Sequence, residues 1–122
     1  TDLNTASFNV PLMLNGGYHF MQFDGKFLNT ANEETNFNFH VISAFDMVTN
    51  DKLDTSFEVN LGEIEITNNA TIEVKGDVSE WFKNPNPWDL NTLYTELMPN
   101  YDAQVQISAN GKTVFSLGEV TQ

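Results

Sequence analysis

The chain has no cysteine and no arginine, and only five of its 122 residues are basic against seventeen acidic ones. Without cysteine there is no disulfide, no thiolate metal site, no iron-sulfur cluster and no cysteine nucleophile. A formal charge of -12 carried without any arginine excludes nucleic-acid binding, because a polyanion is repelled and the cations that displace its counterions are missing. The same charge argues against attachment to an anionic membrane surface. No apolar run approaches the roughly 20 residues that span a bilayer, and no signal-peptide pattern opens at Thr1. There is no glycine-rich phosphate loop, and none of Ser7, Ser43, Ser56, Ser79, Ser108 or Ser116 sits in a nucleophile motif.

What is present is a hydrophobic content of 40% with ten phenylalanines, enough for a packed fold and too much for a disordered acidic tail. The length is that of one domain, which buries about two thirds of its unfolded surface. The excess of acid favours solubility and attracts cations or basic partners.

Most of the chain reads as strand. Phe8 to Leu14 is apolar but carries Pro11, which makes it an edge strand or an irregular entry. Tyr18 to Phe23 and Asn36 to Ile42 alternate with period two over aromatic and β-branched residues. Asp24-Gly25 marks a bend, and Asn29 to Thr35 and Asp46 to Asp54 are polar loops. Ser56 to Thr67 alternates through Phe57, Val59 and Leu61, then changes phase at Gly62 before Ile64 and Ile66, the mark of a bulge. The turn Asn68-Asn69 leads to a return strand over Ala70 to Val78. Asp77-Val78-Ser79-Glu80 has capping-box spacing ahead of Trp81-Phe82, predicting a turn or two of helix that ends at Asn84-Pro85-Asn86-Pro87. Asp89 or Asn91 can cap a second short helix through Leu93, Leu97 and Met98, stopped by Pro99. Tyr101 to Ala109 fits either a strand turning at Asn110-Gly111 or a helix with Gly111 at its C-cap. Thr113 to Leu117 closes the chain as a strand. With no repeat or linker, residues 1–122 form one unit, an antiparallel β-sandwich with short helices near the C-terminus.

The two histidines are the most informative local feature. If Tyr18 to Phe23 pairs with Asn36 to Ile42 so that Phe20 faces Phe39, then His19 lies opposite His40 and Met21 opposite Asn38 on one face. Directly opposed Cβ atoms are about 4.5–5.5 Å apart, close enough for two imidazoles to share an ion. Two imidazoles and a thioether suit copper better than magnesium or calcium. His19, His40 and Met21 are therefore the candidate metal ligands. The bland alternative is that both histidines are hydrogen-bonded parts of a sheet.

Other groups carry weaker signals. Asp46, Asn50, Asp51 and Asp54 collect oxygen donors without the spacing of a calcium loop, so a solvated turn is expected. Glu58, Glu63, Glu65 and Glu73 read as the polar face of a sheet and not as an acid-base pair. Trp81 and Trp88 flank the proline-rich segment and either stack on a ligand such as a sugar or plug the end of a sandwich. Asn69-Ala70-Thr71 is a glycosylation sequon on a turn, a three-residue match.

Taken in order, Gly17-Tyr18-His19-Phe20-Met21-Gln22-Phe23-Asp24-Gly25-Lys26-Phe27, Phe37-Asn38-Phe39-His40, Thr71-Ile72-Glu73-Val74, Val78-Ser79-Glu80-Trp81-Phe82-Lys83-Asn84-Pro85, Asn110-Gly111 and Val114-Phe115-Ser116-Leu117-Gly118 resemble the C-terminal part of the MbnP-like family. These are copper-associated periplasmic or cell-surface proteins related to the partner of a dihaem peroxidase in methanobactin operons. The resemblance runs from Leu3 over nearly the whole chain. It implies a β-sandwich exported across the inner membrane, a metal-linked function through histidines and an oxidised tryptophan, and a helix over Tyr101 to Ala109. It also implies a domain longer at the N-terminus, of which this chain is the C-terminal part, with an open sheet edge or a covering partner. Family members commonly carry a tryptophan shortly before the Gly-Tyr pair, where this chain has Leu12 and Leu14. Carried over by position, the pattern leaves His19, Met21 and His40. The expectation is a metal-associated, copper-linked accessory or binding module, not an enzyme, located in the periplasm, secreted or at the cell surface. It would work beside a dihaem peroxidase or a cell-surface complex, and its competitor is a structural or adhesive surface module without a metal.

Overall fold

A computed structural model describes residues 7–122, so Leu3, where the resemblance begins, and the rest of Thr1 to Ala6 lie outside the described residues. The described chain is mostly β, with strands paired in three small antiparallel sheets. In the largest, β1 (Met21–Leu28) pairs with β2 (Glu34–Val41) around a polar turn at Asn29 to Glu33. Short strands β3 (Ala44–Phe45) and β4 (Lys52–Leu53) flank the acidic loop. β5 (Thr71–Gly76) pairs with β6 (Phe115–Thr121), with a bulge between Ile72 and Val74. A 3-10 turn over Val78–Phe82 and helix α1 (Tyr101–Gly111) lie between those two strands in sequence.

The β1–β2 register differs from the expected one by three residues. Phe23 faces Phe39, Met21 faces Val41 and Gln22 faces His40. An odd shift exchanges faces, so Met21, Phe23 and the backbone of Gly25 lie on the side of Phe37, Phe39 and Val41. That side packs onto the core with Trp81, Trp88, Leu97, Ala103, Ile107 and Val114. The Asp24-Gly25 pair is not a bend; it sits mid-strand. Gly25 is required there because a Cβ would come within 2.6 Å of the Phe37 ring, which lies over the strand to meet Phe23 edge to face at 5.3 Å.

Phe39 is fully buried and is ringed by Trp88 at 4.8 Å, Phe82 at 5.3 Å and Trp81 at 6.3 Å between centroids. Both tryptophans are thus core residues, with no face left for stacking on a sugar. Trp88 also donates from Nε1 to the Leu93 carbonyl at 2.8 Å. Asn110, buried at the end of α1, donates to the carbonyls of Trp81 and Asn86 and accepts from the Asn86 N–H, each at 2.9 Å, which fixes the proline-rich loop to the helix.

Three further expectations change. Ser56 to Thr67 forms no strand; its alternation at Phe57, Val59 and Leu61 records an extended segment half-buried on one side. The phase change falls at Gly62, which takes φ +93°. β5 pairs with β6 and not across Asn68-Asn69. The short helix after Asp89 stops at one turn. Trp88 takes the Leu93 carbonyl, and the next carbonyl, of Tyr94, accepts from Asn38 N–H at 2.8 Å, so the chain leaves the helical path to run beside β2. Phe8 to Leu14 contributes one bridge, Asn9 to Tyr18, and a 3-10 turn over Leu12–Leu14. Tyr101–Gly111 is the helix, with Asn100 accepting from Ala103 N–H at 3.0 Å.

Candidate metal centre

His40 lies near the end of β2, on the face opposite Phe39. His19 precedes β1, and strict alternation would put it on the face of Met21. The chain bends at Phe20 instead, while the Phe20 N–H still reaches the Val41 carbonyl at 2.7 Å. Across this bend the two imidazoles come together edge to face, with centroids 5.2 Å apart. Their proximity therefore arises from a bend and not from cross-strand pairing. The bend also separates His19 from Met21, which packs against the core; the expected grouping of Met21 with the histidines is not the one the register makes.

A different thioether takes that place. His19 Nε2 lies 3.1 Å from the Sδ of Met98. On its other side, Nδ1 is 3.0 Å from the Phe8 carbonyl, which also accepts the His19 backbone N–H at 3.0 Å. A carbonyl can only accept, so Nδ1 carries the proton and, in the neutral ring, Nε2 is the lone-pair nitrogen. His40 has the reciprocal arrangement. Its Nε2 donates to Asp24 Oδ1 at 2.9 Å, leaving Nδ1 as the lone-pair nitrogen of the neutral ring. A carboxylate bonded to the remote nitrogen is the usual outer-shell partner of a metal-ligating histidine. Asn38 Nδ2 donates to the same Asp24 oxygen at 2.8 Å and is the largest cause holding the Asp24 carboxyl below its ordinary range; desolvation, the next largest, opposes it, and His40 and His19 reinforce it.

Buried Gln104 on α1 fixes these pieces relative to one another. Its Nε2 donates to the carbonyls of His40 at 2.8 Å and Leu97 at 3.0 Å, and its Oε1 accepts from Ile42 N–H at 2.9 Å. The end of β2 and the segment carrying Met98 are thereby tied to one helix. Met98 also packs against Val10, Leu14 and Ile42. A cleft of about 270 Å³ opens beside His40 and Met98, lined also by Asn38 and Thr95 to Leu97. Sequence reasoning missed Met98, Asp24 and Gln104. Met98 is 79 positions from His19 with no local pattern to announce it.

Among the described residues, no three His, Cys, Asp or Glu side chains form a group that could hold a metal. The side chains brought together are two imidazoles, with centroids 5.2 Å apart, and a thioether beside His19, a set that suits copper better than a hard cation. The acidic loop is a hydrogen-bonded turn: Asp46 accepts from the N–H groups of Val48 and Thr49, and Asp54 from that of Ser56. Those bonds hold both carboxyls below their ordinary range. Glu58, Glu63 and Glu65 are exposed, and Glu73 accepts from the Glu119 N–H at 2.8 Å. Asn69 of the sequon lies in an exposed bend. Of the leucines before the Gly-Tyr pair, Leu12 is exposed and Leu14 is buried. No helix among the described residues is long and apolar enough to cross a membrane.

The family model described as MbnP matches residues 1–116 of the chain. No curated protein and no solved structure matches it.

Proposed function

The chain belongs to the MbnP family, and we propose that it is an exported copper-binding accessory protein, not an enzyme in its own right, whose metal is held by His19 and His40. The observation that carries this reading is the approach of the only two imidazoles in the sequence to 5.2 Å. Each has one nitrogen bonded to a protein oxygen and the other left as a lone-pair donor when the ring is neutral. The net charge of -12 favours accumulation of cations near the surface. In this reading the small sheets belong to a β-sandwich, the protein works in the periplasm or at the cell surface, and its partner is a dihaem peroxidase or a surface complex.

A structural or adhesive surface module is the second reading. It is favoured by the fact that both rings are already hydrogen-bonded, to the Phe8 carbonyl and to Asp24, as packing histidines are. Copper titration of the wild type, His19→Ala, His40→Ala and the double variant separates the two. Loss of stoichiometric copper in each variant supports the copper reading. Binding by the double variant at wild-type affinity removes it and leaves the structural one.

A further inference from the structure

We propose that Met98 is a third, soft ligand at this centre and that it makes the site selective for monovalent copper. The inference rests on the two-histidine reading and goes beyond it. It starts from the contact between His19 Nε2 and Met98 Sδ at 3.1 Å. A thioether has lone pairs and no proton to give. With the His19 proton held on Nδ1 by the Phe8 carbonyl, no proton lies between Nε2 and Sδ in the neutral ring. Two electron-pair donors then face each other without an intervening acid. A cation that accepts from both resolves that arrangement, and a soft cation does so best.

The surroundings hold this pair in place. Gln104 fixes the Leu97 carbonyl, one residue before Met98, and the His40 carbonyl with the same amide group. The Met98 side chain is half-buried against Val10, Leu14 and Ile42. The cleft that opens on both His40 and Met98 gives an entry route. Met21, the other methionine near the sheet, lies on the opposite face, packed against core residues. Asp24 Oδ1 accepts from Asn38 and His40 and so serves as the outer-shell partner of His40. Glu96 also lines the cleft, but a set of two imidazoles and a thioether favours Cu(I) over Cu(II).

The test uses the whole chain with ¹³C-methyl methionine, anaerobic Cu(I) supplied from a competing chromophoric chelator, and Cu(II) in parallel. The chain has four methionines, Met13, Met21, Met47 and Met98, so the methyl spectrum is readily assigned. One equivalent of Cu(I) should shift the Met98 methyl and leave the other three in place. Met98→Leu, which keeps the packing volume, should weaken Cu(I) by about tenfold or more while changing Cu(II) by much less; Met21→Leu should change neither. An unmoved Met98 methyl in a chain that binds Cu(I) through its histidines overturns the inference and leaves the two-histidine reading standing. So does an unchanged Cu(I) affinity in Met98→Leu, or an equal loss in Met21→Leu. The competing arrangement, a doubly protonated His19 making an Nε2–H···S contact, predicts an unchanged Cu(I) affinity in Met98→Leu. Failure of the wild type to bind copper, or binding by the double histidine variant at wild-type affinity, overturns the reading and the inference together. Copper K-edge EXAFS of the wild-type Cu(I) chain, which shows a sulfur scatterer only where a methionine ligates because the chain has no cysteine, decides the matter even where a variant fails to fold.

Discussion

His40 donates through Nε2 to Asp24 at 2.9 Å, two residues away from its cross-strand partner Gln22, on the face of the sheet that looks away from the core. Asn38, directly opposite Asp24, donates to the same oxygen. Three side chains on adjacent strands thus set which nitrogen of His40 is free. The face opposite them is apolar and packs, so the one odd-numbered shift in register decides both where the core lies and which polar groups surround the imidazole.

The Asp24 carboxylate should therefore tune the metal through His40. Asp24→Asn keeps the shape and removes the charge, and it should lower copper affinity by about 10- to 100-fold, the usual scale for loss of an outer-shell partner. It should also change acid stability. The folded carboxyl titrates below its unfolded value of about 3.9, so its stabilising contribution is present above that pH and disappears as the pH falls through the folded value. Asp46, Asp54, Asp77 and Asp89 share this direction because each accepts turn or capping hydrogen bonds. Denaturant midpoints from pH 5 to 2 should fall in the wild type, with Asp24→Asn showing a shallower fall by the share of one half-exposed group. A pH dependence identical to wild type would show that the Asn38 and His40 contacts do not hold this carboxylate ionised.

Gly25→Ala should destabilise the chain by about 1–3 kcal/mol through overpacking, because the new methyl would lie 2.6 Å from the Phe37 ring. The double variant Gly25→Ala/Phe37→Leu should recover part of that loss, since the clash is with the ring. Equal stability of Gly25→Ala and wild type in urea would mean that Phe37 moves aside at no cost.

How far the sequence reached follows from which signals were local. Alternation in Phe37, Phe39 and Val41 reported a real strand with those residues inward, and the capping residue Asp77 marks the start of the 3-10 turn. The phase change at Gly62 was real although the strand was not, because period two reports one-sided burial and needs no ladder partner. The register of β1 on β2 could not be read, since Phe20 and Phe23 are both plausible partners for Phe39 and an odd slip exchanges every residue between faces. His19 and His40 were found on the wrong geometric ground: they meet through the bend at Phe20. Met98 and Gln104 come from a segment and a helix far along the chain, and only the tertiary fold brings them to the histidines.

Copper should raise the stability of the folded chain in proportion to its occupancy of the two-histidine site. A ligand that binds only the native state adds about 2.7 kcal/mol at one hundred times its dissociation constant. For a chain of this length that corresponds to a rise of several degrees in thermal midpoint. The rise should be absent in His19→Ala and His40→Ala. A rise of equal size in the double histidine variant would place the bound copper elsewhere.

Gln104 should matter to both the fold and the site. Its amide satisfies the His40 carbonyl, the Leu97 carbonyl and the Ile42 N–H, and the side chain is fully buried. Gln104→Leu fills the volume but leaves the His40 carbonyl and the Ile42 N–H without partners, at about 1–3 kcal/mol each, while the Leu97 carbonyl keeps the Asn100 N–H at 3.1 Å. A loss of at least about 2 kcal/mol is expected in urea unfolding. Gln104→Glu is the more informative change. Ionised, its carboxylate can no longer donate to the two carbonyls and buries a charge beside them; protonated, it retains one O–H and can satisfy only one of them. Its destabilisation should therefore be larger near neutral pH than in mild acid, opposite in slope to the loss of the turn-bound aspartates. Because the amide links the His40 backbone to the residue preceding Met98, Gln104→Leu that still folds should weaken copper binding while leaving the His40–Asp24 contact intact. Full retention of copper affinity in a folded Gln104→Leu chain would show that the helix supports the core without positioning the metal centre.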